Sequence, residues 1–358
     1  MLIPKHIHFI IIVHKTLFNC ICLFGMKFYN CRKIESLMNN SGKERKPFLF
    51  GIDFEMEHCF FVSEPLSSSN ILFENILFEI NGINNYKKTI SPKFDTHMDY
   101  TFDIFPASFE TYEKRFNKVL NGLKRGDTFL TNLTIETPIK TSLSLKEIFN
   151  NSNSPYKLII PNNFVCFSPE SFVKIFDGKI STFPMKGTIH ADTPNAESII
   201  INDKKETAEH NTIVDLLRND LSRVANDVKV KRFRYIEEVS TNNGKLLQVS
   251  SEIEGTLPEG YLNDIGSLIF KLLPAGSVSG APKSATQKII SEAEMSKRGF
   301  YCGIAGYFDG NNLYSFVLIR FIEQKANGLV FRSGGGITSK SECYKEYAEA
   351  LQKVYLPF

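Results

Sequence analysis

At 358 residues with 42% apolar side chains, the chain can bury a substantial core as one large domain or two closely packed ones. Its net charge of +3 comes without a basic stripe or an alternation of aromatic and basic residues, which excludes the footprint of a nucleic-acid binder and leaves small anionic substrates open. Seven cysteines, at 20, 22, 31, 59, 166, 302 and 343, show no repeated CxxC spacing, so neither a zinc site nor a secreted disulfide framework is expected, and a reducing cytoplasm fits.

The chain opens on an apolar run, HFIIIVHKTLFNCICLFG (8–25), that His14 and Lys15 break into pieces too short to span a bilayer. No small-residue cleavage site follows, and membrane attachment is not expected. Met38 begins a more ordinary stretch, MNNSGKERKPFLFGIDF. Translation is therefore expected to start there, with residues 1–37 a gene-model extension and 1–46 as a whole non-native or disordered; a loosely docked tail and an anchor are the other readings. From Pro47 onward, strand-like runs such as FLFGIDF, FVKIF and LYSFVLIRF are interleaved with helical stretches at ASFETYEKRFNKVLNGLKRG and EHNTIVDLLRNDLSRVA. Strands do not alternate strictly with helices. The pattern predicts an α+β fold over 47–358, with antiparallel sheets and helices packed outside.

The stretch SPESFVKIFDGKISTFPMKGT contains Asp177 and Gly178, the pair favoured in a two-residue type I′ turn. Counting outward from that turn pairs Phe176 with Lys179 and, further out, Glu170 with Met185, one residue from Lys186. A carboxyl and an amine are thus expected at the open end of this hairpin. Strict strand parity would send them to opposite faces, but Pro169 and Pro184 should disrupt regular pairing there. An isolated lysine beside a turn would otherwise read as solvated.

In KKETAEHNTIVDLLRNDLSRV the apolar positions Ile213, Leu216, Leu217, Leu221 and Val224 share one helix face, and Glu206 and Glu209 fall on that face. Inward carboxylates are costly unless paired. Either the helix end is exposed or the pair faces a cation, for which magnesium is well suited. A second pair, Glu346 and Glu349, lies in SECYKEYAEALQKV opposite an apolar face of Tyr344, Tyr347, Leu351 and Tyr355, so periodicity alone reads it as solvated helix surface. Before it, Gly334, Gly335 and Gly336 could let an anion approach bare backbone amides, or form a tight turn. The phosphate-loop lookalike AGSVSGAPKSA fails, because Pro282 stands where GxxxxGK[ST] needs glycine.

Six stretches occur together in order: FSPESF, PMKGT, AEHNTIVDLLRNDLSRV, LLPAGSVSGAPKSA, KRGFYCGIAGYF and RSGGGITSKSECYKEYAEALQK. With RGDTFLTNLTIETPI before them, they resemble the chorismate-utilising enzymes, and within these component I of aminodeoxychorismate synthase. The resemblance runs from about Pro47 to the C-terminus. It implies two antiparallel β-sheets in a layered arrangement with outer helices, chorismate as substrate, and a magnesium ion. By position, Glu209 and Glu349 would bind the metal directly while Glu206 and Glu346 hold its waters. Gly187, Thr188, Gly334, Gly335 and Gly336 would contact the ring carboxylate, with Lys353 nearby. Tyr301 and Arg320 would clasp the enolpyruvyl carboxylate.

Lys186 separates the subfamilies, since similar synthases that make anthranilate, isochorismate or salicylate usually carry a small residue there. The resemblance makes Lys186 the nucleophile and Glu170 the general acid, with burial beside a cationic metal keeping the lysine neutral. It also implies a separate glutaminase subunit as ammonia source, since no GxCxG nucleophile motif is present. The alternatives are an anthranilate or isochorismate-type synthase, and a non-catalytic paralogue that binds chorismate. Two departures are visible: Gln248 replaces a histidine common in relatives, and Ala191 replaces an arginine.

Overall fold

The computed structural model describes residues 28–67, 76–86, 100–241 and 244–358. Within them lie two nine-stranded antiparallel sheets. The first runs Met185–His190, Gly244–Thr256, Lys179–Thr182, Ser171–Phe176, Leu313–Val317, Ile304–Phe308, Phe48–Ile52 and Cys59–Ser63, with Asn226–Thr241 also paired to Gly244–Thr256. The second runs Gly280–Ala281, Leu130–Thr141, Gly328–Ile337, Phe321–Lys325, Phe164–Ser168, Tyr156–Ile160, Leu77–Ile80 and Ile83–Asn84, with Phe102–Ile104 beside Leu130–Thr141. This is the layered α+β arrangement that the sequence predicts.

The sheets face each other across an aromatic core. Tyr156 of the second stacks on Phe316 of the first, centroids 5.2 Å apart and planes 11° from parallel, and Phe78 meets Tyr307 at 5.7 Å. Such offset ring contacts add to the burial of large apolar area. Phe48–Ile52, Tyr156–Ile160, Phe164–Ser168 and Ile304–Phe308 are buried at every residue, which requires cover on both faces. Helices supply the outer cover. Phe109–Arg125 and Lys283–Glu294 pack on the second sheet through Phe116, Val119, Leu123, Ile289 and Ala293. Ser108 caps the first of these, its Oγ accepting from Thr111 N, and Gly126 ends it at φ 82°.

Two expectations are corrected. The folded region does not begin at Pro47: Cys31–Lys43 is a helix, capped by Asn30, with Ile34, Met38 and Gly42 buried at helical spacing. It lies on the Ile265–Leu272 helix so closely that a Cβ at Gly266 would stand 2.6 Å from Glu35 O. Asn39 Oδ1 accepts from Gly266 N at 2.7 Å, and Ser267 Oγ donates to Glu35 at 2.6 Å. Three apolar positions on one face among polar residues made this helix easy to overlook. The remainder of that expectation, on residues 1–27, lies outside the described residues. Because Ile34 has no exposed surface, Ile34→Ala should cost about 2–5 kcal/mol, read as a lower urea midpoint.

LYSFVLIRF is also not one strand. Leu313–Val317 belongs to the first sheet and Phe321–Lys325 to the second. The break falls at Leu318–Arg320, where Arg320 takes φ 54°. No helix among the described residues is long and apolar enough to cross a membrane.

Candidate active site

A turn, a bulge and two crossovers between the sheets build the site. Asp177 and Gly178 have φ of 47° and 70°, the positive pair that a type I′ turn needs. Phe176 pairs with Lys179, Ile175 with Ile180 and Lys174 with Ser181, as counted from the turn. Beyond Ser181 the expected register ends. Past Pro184, Met185–His190 pairs instead with Gly244–Thr256, Met185 facing Ser250 and Thr188 facing Gln248. The register slips between Met185 and Thr188, so Lys186 and Gly187 sit on a bulge, with Gly187 at φ 81°. Bulges re-aim side chains. Strand parity therefore does not decide where Lys186 points.

Glu170 comes from the other direction. The chain leaves the second sheet after Ser168 and enters the first at Ser171, so Pro169 and Glu170 form a crossover. Arg320 lies on the second crossover, and the two run side by side: Phe167 N donates to Arg320 O at 3.0 Å, and Val317 N to Glu170 O at 3.1 Å. Glu170, Lys186, Gly187, Thr188, Tyr301 and Arg320 line one cavity of about 340 Å³, together with Gly334, Gly335, Gly336 and Lys353. That volume suits a small ligand.

The three glycines form no tight turn. They lie in the strand Gly328–Ile337, paired in order with Thr134, Leu133 and Asn132. A Cβ at Gly334 would stand 2.5 Å from Leu133 O. One at Gly335 would point at Glu346, Glu349 and Lys353, each 3.7 Å away. Bare backbone here keeps the cavity wall low.

Both glutamate pairs face an adjoining cavity that shares Lys186, Gly187, Glu209, Glu349 and Lys353 with the first. Glu206 and Glu209 stand in the first turns of the helix Lys204–Leu221, which Asp203 caps by accepting from Glu206 N at 2.9 Å. The solvated reading is overturned for Glu346, which is 7% exposed, and holds for Glu349, whose side chain is 53% exposed; Tyr344, placed on the supposed apolar face, is 73% exposed. The helix Cys343–Gln352 turns Ala350 and Glu346 inward, and Tyr347 anchors it by donating to Ala107 O at 2.6 Å.

Lysines pair with one carboxylate of each couple. Lys186 Nζ donates to Glu209 Oε2 at 2.7 Å, Lys205 stands 3.6 Å from Glu209 Oε1, and Lys353 Nζ donates to Glu349 Oε1 at 2.7 Å and to Gly334 O at 2.9 Å. Among the described residues, no three ligating side chains converge closely enough to form a metal cluster as they stand. Burial raises the pKa of Glu206 and of Glu346, and the neighbouring Glu209 and Glu349 respectively add like charge. Burial would lower Lys186, but Glu209, then Glu206 and Glu349, outweigh it and hold the amine above the usual lysine range. In this arrangement the carboxylates favour the charged amine; the neutral amine is the expectation for the site with its metal bound. Burial lowers Lys353 despite its bond to Glu349. Glu170 shows the pattern of a held proton: burial raises its carboxyl, opposed by a hydrogen bond with Ser277 and by the charges of Arg320 and Lys353.

Two supports were missed in the sequence. Ser277 lines the cavity beside Glu170 and lies in the short helix Gly276–Ser279, where no periodicity points to it. Arg298 and Glu294 form a fully buried pair, Nε to Oε2 at 2.9 Å and Nη2 to Oε1 at 2.6 Å. Arg298 also donates to Val278 O at 2.8 Å and Asn132 O at 2.7 Å, tying the Ser277 segment to the second sheet. Their i, i+4 spacing is a visible signal, but it looks the same as a surface pair. Gln248 does line the cavity.

The model of the chorismate binding enzyme family matches residues 40–357. An uncharacterised PabA-like protein of Haemophilus influenzae is 50% identical over 319 residues, covering 89% of this chain and 94% of its own. Aminodeoxychorismate synthase component 1 of Bacillus subtilis is 31% identical over 265 residues, or 70% of this chain and 55% of that protein. The structure of an isochorismate synthase from Bacillus anthracis superposes with a TM-score of 0.67 at 18% identity, over 92% of this chain and 89% of that one. Anthranilate synthase component I of Streptococcus pneumoniae superposes with a TM-score of 0.60 at 26% identity, over 70% of this chain and 58% of that one. With the fold shared and the family model spanning nearly all of the described residues, the chain belongs to the chorismate binding enzymes.

Proposed function

We propose that this chain is component I of an aminodeoxychorismate synthase, converting chorismate and ammonia to 4-amino-4-deoxychorismate, the precursor of p-aminobenzoate for folate. The observation that carries this reading is Lys186, held on a bulge inside the cavity that Glu170 also lines. The amine, once it has given up its proton, attacks ring carbon 2. Both ring double bonds shift by one position, and the hydroxyl at carbon 4 leaves as water with a proton from Glu170. Ammonia then attacks carbon 4, both double bonds shift back, and Lys186 departs as the free amine. The Glu170 carboxylate takes the surplus proton and is ready for another turn.

Chorismate would be gripped at both ends. Gly187, Thr188, Gly334, Gly335, Gly336 and Lys353 would receive the ring carboxylate. Arg320, whose planar fork can hold a carboxylate bidentately, would take the enolpyruvyl carboxylate with Tyr301. The glutamates fit a hard divalent cation: all donors are carboxylate oxygens, and burial, with a like-charged neighbour adding to it, raises the pKa of Glu206 and Glu346, a cost that a bound cation would relieve. Magnesium held by Glu209 and Glu349, with Glu206 and Glu346 on its waters, would clamp the ring carboxylate and assume the charge that Lys186 now neutralises. Released from Glu209, Lys186 would lose the partner that keeps it protonated. A separate glutaminase would supply the ammonia, in the cytoplasm.

The test is incubation with chorismate, magnesium and ammonium, with products identified by mass spectrometry. The expected product is 4-amino-4-deoxychorismate. EDTA should abolish its formation and excess magnesium restore it. Anthranilate or isochorismate as product would overturn the reading, as would no turnover even with a cognate glutaminase present.

A further inference from the structure

Away from the cleft, two thiols from separate parts of the chain meet. Cys31 Sγ and Cys59 Sγ lie 3.4 Å apart, although 28 positions separate them in sequence. Backbone pairing sets this approach: Tyr29 N donates to Cys59 O at 2.7 Å and Cys59 N to Tyr29 O at 3.0 Å, an antiparallel bridge. Cys31 is the first residue of the helix Cys31–Lys43, half-buried, with its thiol also donating to Met56 O. Cys59 opens the strand Cys59–Ser63 and is fully buried. Both are free thiols.

We propose that Cys31 and Cys59 are a redox pair, closing to a reversible disulfide that staples the N-terminal helix to the first sheet when the protein meets a small disulfide oxidant. The two positions divide the chemistry. Cys31 is the accessible thiol, and the amide dipoles at a helix N-terminus favour its thiolate. It attacks one sulfur of an oxidant such as glutathione disulfide, forming a mixed disulfide and releasing one small thiolate. Cys59 then attacks Cys31 Sγ and displaces the second small thiolate, which leaves with the Cys59 proton as a thiol. Two protein thiols are oxidised and one small disulfide is reduced. A disulfide needs the sulfurs about 2.05 Å apart, so they must close by roughly 1.4 Å, which side-chain rotation can supply.

The staple has a route to the cavity wall. Between Ile52 and Cys59 the chain carries Glu55, whose carboxylate accepts from Arg298 N at 2.8 Å and Gly299 N at 3.0 Å, just before Tyr301. A pair of this kind in a reducing compartment is transient, formed under oxidative load and undone afterwards.

The full-length protein, freed of reductant and exposed to glutathione disulfide, would be digested without reduction and mapped by mass spectrometry. The expected result is a peptide pair joined through Cys31 and Cys59, with a rise in Tm of about 3–5 °C that dithiothreitol reverses. In Cys59→Ser, Cys31 should instead accumulate as the glutathione mixed disulfide. Should that variant fold poorly, Cys31→Ser serves as well: buried Cys59 should then stay unmodified. Pairing of Cys31 with Cys20 or Cys22 would overturn the proposal. So would the survival of both free thiols once half-buried Cys343 has been modified.

Discussion

Lys186→Ala should give a folded protein that still binds chorismate but forms 4-amino-4-deoxychorismate at least about 10³-fold more slowly. No other side chain at the bulge offers an amine, so deletion removes the covalent route rather than weakening it. The fold should survive, because Lys186 is partly exposed and lies on a bulge at the edge of the first sheet, where truncation opens no core cavity. Its loss does free Glu209 from the 2.7 Å bond. Lys186→Arg separates the two effects by keeping a cation near Glu209 without supplying a nucleophile at ordinary pH. Both variants should be assayed for product by mass spectrometry and for chorismate binding by calorimetry. Full activity in Lys186→Ala would refute the covalent mechanism.

Glu170→Gln should lower kcat by about 10²–10⁴, the usual worth of a general acid, and at the same time stabilise the protein at alkaline pH. The second effect follows from the raised pKa of Glu170. In the unfolded chain this carboxyl titrates near 4.3. In the folded protein it titrates higher because burial penalises the charged form, so its contribution to stability is full below about 4.3 and is lost as pH rises through the folded value. Glutamine has no charge to desolvate. The variant's advantage in urea midpoint should therefore grow from pH 4 to pH 8, while the wild-type kcat falls with pH as Glu170 loses its proton. An equal midpoint difference at both pH values would remove Glu170 from the role of a buried, protonated acid.

The candidate site was legible to unequal degrees. The Asp177–Gly178 turn could be counted because two-residue hairpins demand positive φ, which few residue pairs accept. The count failed beyond Ser181, since proline and a bulge break the period on which counting rests. Glu206 and Glu209 were visible on the wheel because their helix has one clear apolar face. Glu346 was not: the aromatic residues Tyr344 and Tyr355 suggested a buried face that is in fact 73% and 46% exposed at those positions. Tyrosine is amphipathic, so a run of it does not define an interior.

What the chain determines locally follows from backbone sterics and periodicity. The α+β content, the helices and the hairpin turn are read from neighbours in sequence, while the roles expected of Lys186, Glu170, Tyr301 and Arg320 come from the family resemblance. What only the tertiary structure decides is convergence. Glu170 and Arg320 meet because two strands change sheets side by side, and LYSFVLIRF gave no sign of a break within it. Cys31–Lys43 joins the core through Ile34 and Met38 packing on a helix more than 200 residues later, a contact no local pattern encodes. The charge state of Lys186 depends on carboxylates from two distant helices, whose combined field outweighs its burial. Local energies choose the elements, and the site's electrostatics appear only once those elements are packed.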